Sequence, residues 1–188
     1  ALKDPSKEKL TKGIRFSADQ SIRVAPNKVN LAQAQKIATD FKAEYNGNIP
    51  LEFKVVEKQE HLYGPENTVE KIGLIKGGYH SNSEILGIAS ISQSSVQDTR
   101  RTLQHEILGH YGLNTFKPND KKAILQRIIN SKDNPALKKV WVDVEKNYSN
   151  LDQIGQAEEV FAAIAENPPT KTGFWGGLVV MLRKAMRA

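Results

Sequence analysis

The chain has 188 residues, of which 39% are hydrophobic and 26% charged, a composition that excludes a disordered or fibrous class and fits one globular domain with a sizeable core. It has no cysteine, which excludes a disulfide framework and a Cys-rich zinc site and fits a reducing, cytoplasmic compartment, and no run reaches the roughly 18 apolar residues of a membrane span. Lysine and arginine exceed the acids for a net charge of +6, but they are spread along the chain, so a solvated basic surface is the simpler reading and nucleic-acid attraction the weaker one.

Residues 1–22 are polar and Lys-rich and are expected as a tail or linker, ahead of a single domain over 23–188. The start has neither an apolar signal core nor an initiator Met, so a piece of a longer polypeptide or a processed product is expected. Leu31, Ala34, Ile37, Ala38, Phe41 and Tyr45 recur at a helical period, with Asn30 as N-cap and Asn46-Gly47 as stop. Residues 51–56 read as a strand with Leu51, Phe53 and Val55 on one face, and residues 72–75 as another. Gly77-Gly78 and Ser81-Asn82-Ser83 signal turns, and residues 85–91 a third strand that could pair with an extended peptide as an exposed edge. His61 and His80 fall in loop or turn sequence and read as surface histidines. Helices are then expected over 120–131, 134–148, 152–167 and 174–186, the third stopped by Pro168-Pro169. The last is amphipathic and basic; a helix covering the core is preferred over one touching a membrane. Strands first and helices afterwards give an α+β fold.

The stretch Leu103-Gln-His-Glu-Ile-Leu-Gly-His-Tyr-Gly112 carries two of the chain's four histidines, with Glu106 directly after the first. Ser94 or Ser95 can cap its helix, Asp98 falls in the first turn, Val96, Leu103 and Ile107 form the expected core stripe, and Gly112 is a plausible end. Two neutral imidazoles and a carboxylate suit zinc, the carboxylate taking a proton from metal-bound water. A zinc helix ordinarily spaces its histidines at i and i+4. Here they stand at i and i+5, about 140° apart at roughly 100° per residue, and would not share an ion. One inserted residue, a π-bulge, restores convergence, and Gly109 would tolerate distorted backbone. The bland alternative is a surface helix with two unrelated histidines.

A helical glutamate is the natural third ligand. The candidates are Glu158 and Glu159, in a segment otherwise so apolar that a carboxylate there needs a partner. Periodicity leaves both open. Glu158 sits nearer the stripe of Ile154, Ala157, Phe161 and Ile164. Glu159 shares a face with Glu166 and is flanked by Gly155 and Ala162, small residues that would let the metal helix approach closely.

His105-Glu-Ile-Leu-Gly-His110 is similar to the hexapeptide zinc motif H-E-L-L-G-H of the dipeptidyl peptidase III family, which pairs with a later E-E-x-x-A-E segment. That resemblance implies His105, His110 and Glu159 as ligands and Glu106 as general base. It departs at Ala163, where that family carries an acid. A broader resemblance runs from Arg15-Phe-Ser through both motif segments to Trp175 and the basic terminal helix. It is to the metallopeptidase domain of polyvalent proteins, large multidomain proteins of phages and conjugative elements. It implies a zincin-like, gluzincin-like fold and delivery into a recipient or host cell.

The expected function is therefore a zinc peptidase with Zn2+ as cofactor and a protein or peptide as substrate, processing its own parent polypeptide or a host protein. Tyr111 could donate to the oxyanion, though a packed tyrosine is the simpler reading. The alternatives are a non-catalytic, zinc-stabilised interaction module and, more weakly, a basic nucleic-acid-associated accessory domain.

Overall fold

The structure, a computed structural model, describes residues 14–19, 21–167 and 173–187. It is α+β, and the chain forms two compact units, Ala1–Glu106 and Ile107–Ala188.

The first unit holds a four-stranded sheet in the order β1-β3-β4-β2, with β1 at Ile14–Asp19, β2 at Glu52–Val56, β3 at Leu74–His80 and β4 at Ile85–Ala89. β3 runs antiparallel to β1 and β4, while β2 runs parallel to β4. Helix α1, Leu31–Ala43, buries Ala34, Ile37, Ala38 and Phe41, the stripe its period dictates. Asn30 caps it through a reciprocal pair with Gln33, and left-handed Asn46 and Gly47 turn the chain away. Short helices α2, Glu60–Tyr63, and α3, Val69–Ile72, cross between β2 and β3. Helix α4, Val96–Gln104, is capped by Ser95, and it packs on α1 with Arg100 bonded to Glu44 at 2.6 Å.

Several expectations are corrected here. The tail over 1–22 contains β1, while residues 1–13 lie outside those described. Gly77 and Gly78 lie inside β3, opposite Ile88 and Gly87, and form no turn. A Cβ on Gly77 would stand 2.8 Å from Thr102 Cγ2 and 3.0 Å from the Gly87 carbonyl oxygen, so glycine there admits close packing. Ile72 ends α3 and does not begin a strand. The strand over 85–91 stops at Ala89 and continues as a 3-10 turn, Ser90–Ser92. It is interior to the sheet, with β3 and β2 on its two sides, so it is no edge for a peptide. Val96 is 52% exposed, and Thr99 and Thr102 take the buried positions beside Leu103.

The second unit is helical. A one-turn α5, Gly112–Asn114, carries the histidine-bearing helix past Gly112, and α6, Pro118–Asn130, α7, Pro135–Asn147, α8, Gln153–Glu166, and α9, Phe174–Ala185, follow. Asn134 and Asp152 cap α7 and α8 through their side chains. α6 and α7 both pack on α8, whose Val160, Phe161, Ala162 and Ala165 are fully buried. α9 buries Val179 and Leu182 and leaves Val180 and Met181 exposed, while Arg127 lies over the Phe174 ring. Pro168 and Pro169 lie outside the described residues. Among the described residues, no helix is long and apolar enough to cross a membrane.

Candidate metal centre

After α4 the helix widens into a π segment, His105–Tyr111. Its wider turn brings i+5 to the position that i+4 occupies on an α-helix, so both histidines fall on one side. Gly109 serves this geometry differently from the expectation of backbone tolerance. A Cβ built on it would lie 2.5 Å from Ala162 Cβ and 2.6 Å from Ala162 Cα, so glycine lets the π segment rest directly on α8.

That approach brings His110 Nε2 to 3.5 Å from Glu159 Oε1, both side chains being almost wholly buried. With His105, one turn earlier on the same helix, they form a buried trio whose ligand atoms all lie within 4.8 Å of one another. The trio fits a metal on the chemistry of its donors. Two imidazoles and a carboxylate are a zinc donor set, and ligands held about 2.0–2.1 Å from a tetrahedral ion stand roughly 3.3–3.4 Å apart. The His110–Glu159 separation is close to that edge.

Glu158 does not join the trio. It bonds Lys121 Nζ at 2.7 Å. Tyr111 ends the π segment and is half-buried. Glu106 is wholly buried, and its negative charge reaches Tyr63. Burial foremost, and that charge second, push the Tyr63 phenol well above its usual range. The Tyr63 ring stacks on His80 with centroids 5.9 Å apart. Burial, with Lys54 nearby, holds His80 below the usual histidine value. His61 is exposed as expected; His80 is buried, because β3 extends through it instead of turning at the glycines. The sequence reading missed Tyr63 as a neighbour of Glu106, and no periodic signal in the four-residue α2 marks it.

No family model matches the chain, and no solved structure matches it. A curated relative, the DNA primase TraC of Escherichia coli, is 35% identical over 147 aligned residues, which cover 73% of this chain. The chain spans only 10% of that protein's length. This comparison overturns the peptidase expectation: the relative's name is that of a DNA primase, not of a hydrolase or metalloprotease. The roles of Glu106 as peptidase base and Tyr111 as oxyanion donor were expectations attached to that reading.

Proposed function

We propose that this chain is a zinc-holding domain of a larger DNA-replication protein of primase type, in which His105, His110 and Glu159 grip one zinc ion. The observation that carries the reading is the buried trio itself, on a chain similar over most of its length to a DNA primase. Two neutral imidazoles and one carboxylate leave a bound Zn2+ with a net positive charge, which a buried site tolerates only if the ligands are fixed in place. The π segment fixes the two histidines, and the Gly109–Ala162 contact fixes α8. Zinc, when bound, would staple the metal helix to α8 and keep a fourth position open to water or another oxygen. A zincin-like fold belongs to the same reading, since a later helix supplies the carboxylate to a helix bearing both histidines. The net charge of +6 supplies sequence-independent attraction to DNA, as expected of an accessory domain in such a protein. The resemblance to a domain of large polyvalent proteins supports the multidomain setting.

The test has two arms on the purified chain. Elemental analysis should give one zinc per chain, lost in His110→Ala. Anisotropy with a single-stranded oligonucleotide should give binding that weakens steeply between low and physiological salt. Absence of zinc from both proteins defeats the metal centre; absence of DNA binding at low salt defeats the replication setting.

A further inference from the structure

Strand β2 ends the sheet on one side, with β4 as its neighbour. In a parallel pair, alternate residues turn both N–H and C=O toward the same neighbour. The Glu52 amide bonds the Glu84 carbonyl at 3.0 Å, so Glu52, Lys54 and Val56 face β4. Leu51, Phe53 and Val55 therefore turn their backbone outward. Lys42 Nζ meets the outward Leu51 carbonyl at 3.0 Å, as this parity requires, and Phe53 and Val55 continue the edge. Beside them, between α1 and β2, runs a groove of about 520 Å³ lined by Ala38, Thr39, Ala43, Phe53 and Val55 among others. It leaves room along the edge for a further strand.

Side chains alternate across a strand, so Phe53 and Val55 share one face and Glu52 and Lys54 the other. Lys42 lies 5.3 Å from the Phe53 ring, which puts Phe53 on the α1 side, and both charged residues are exposed. Charges on an edge ordinarily deter pairing. Here opposite signs stand two residues apart, and that spacing matches a second copy of the same edge.

Two copies related by a two-fold axis present the same patch to each other, and their edges then run antiparallel. A register centred on Glu52 or Lys54 sets that charge against itself, which is unfavourable. One centred on Leu51 or Val55 runs Phe53 past the partner strand, against Ile49 or Glu57. Centring on Phe53 sets Glu52 of each copy opposite Lys54 of the other. These are non-hydrogen-bonded positions, where Cα atoms stand about 4.5 Å apart and side chains are closest. The same register joins outward backbone to outward backbone, Phe53 to Phe53 and Val55 to Leu51, whose carbonyl keeps a second lone pair beside Lys42.

We infer that β2 is a self-complementary edge through which two copies of this chain pair into one continuous sheet, in the register centred on Phe53. The inference rests on the first unit's sheet and does not depend on the zinc reading. A five-residue strand buries little area, so the dimer is weak, with a Kd on the order of tens of micromolar.

The test is sedimentation velocity on the full chain over a concentration series that spans this Kd, with and without chelator. Wild type should pass from monomer to dimer as concentration rises, equally in both conditions. Glu52→Lys and Lys54→Glu each set like charges opposite twice, and each should weaken association by about tenfold or more. An equimolar mixture of the two variants should recover association, as should the double variant, because opposite charges face each other again. Val55→Pro removes an outward N–H, leaves the donors to β4 in place, and should abolish association. Should it not fold, as judged by circular dichroism, the charge series carries the comparison. Wild type that stays monomeric throughout overturns the inference and leaves the edge to a different strand or to solvent. A dimer that either reversal leaves unchanged overturns it, because another surface would then carry the contact. So does a mixture no more associated than its components, and so does a dimer that chelator dissolves, since metal would then bridge the copies.

Discussion

Gly109→Ala is a sharp probe of the metal helix, because two effects of opposite sign meet in one methyl group. In an ordinary exposed helix, replacing glycine by alanine stabilises by about 1 kcal/mol. Here the added Cβ would stand 2.5 Å from Ala162 Cβ and 2.6 Å from Ala162 Cα. Carbon atoms in contact prefer about 3.5–4.0 Å, so the π segment and α8 must part by roughly 1 Å. Overpacking of a well-filled core costs about 1–3 kcal/mol, and the upper part of that range applies because one of the atoms met is backbone and cannot swing aside. The net expectation is a loss of about 2 kcal/mol. The same displacement separates His110 from Glu159, and metal sites tolerate only about 0.2 Å of error. Zinc affinity should therefore fall by at least about tenfold. Urea unfolding of the metal-free protein reads the first quantity and dye competition the second. The companion variant Gly109→Ala/Ala162→Gly should recover part of the loss, because the Ala162 Cα still lies in the way. A Gly109→Ala protein as stable as wild type, with unchanged zinc affinity, would refute the argument that glycine is there for close approach.

Chelation should lower the thermal midpoint of wild type, whereas His105→Ala, already unable to complete the trio, should show no response to chelator by calorimetry. Gln59 is fully buried and holds the Asn67 and Gly73 carbonyls and the Ile75 amide, at 2.8, 3.0 and 2.8 Å. Gln59→Leu strands those groups, and denaturant unfolding should show a loss of roughly 3 kcal/mol. Burial works to raise the Asp98 carboxyl, but hydrogen bonds from Lys76 and Ser94 outweigh it and hold the group below its usual value. Its stabilisation is thus complete above the ordinary aspartate value of about 3.9 and is lost as pH falls through the lower folded one. Asp98→Asn should flatten that acid limb in urea midpoints measured against pH, and an unchanged limb would show that Asp98 does not carry it.

The second unit was more legible than the first. α1 and α6 to α8 follow apolar positions at helical spacing, and Asn30, Asn134 and Asp152 cap helices through side-chain chemistry that is local. The π segment was legible by counting, because histidines five apart cannot converge on α geometry. The sheet was harder, since its rules are not local. Gly77-Gly78 has a turn's composition, yet the pair lies inside β3, where the Thr102 methyl and the Gly87 carbonyl crowd the Gly77 position. The interior place of β4 depends on β2 returning parallel to it, which no residue of 85–89 announces. Glu158 and Glu159 could not be separated from the sequence because the partners that face them, Lys121 for Glu158 and His110 for Glu159, lie far away in the chain. The activity was least legible of all: the motif pointed to peptide hydrolysis, and the relative points elsewhere.

The π segment also bears on how such a helix tolerates change in chain length. A one-residue insertion in an α-helix ordinarily turns everything beyond it by about 100° and scatters the buried face. Spread over His105–Tyr111, the extra residue is absorbed, and Gly112 and Leu113 remain buried beyond it. Removing one residue between the histidines would return the spacing to i+4 and the backbone to plain α geometry, with the same two nitrogens on the same side. The two spacings are thus one codon apart, and either backbone leaves both imidazoles on one side of the helix. A motif search that fixes the interval at four would pass over this chain.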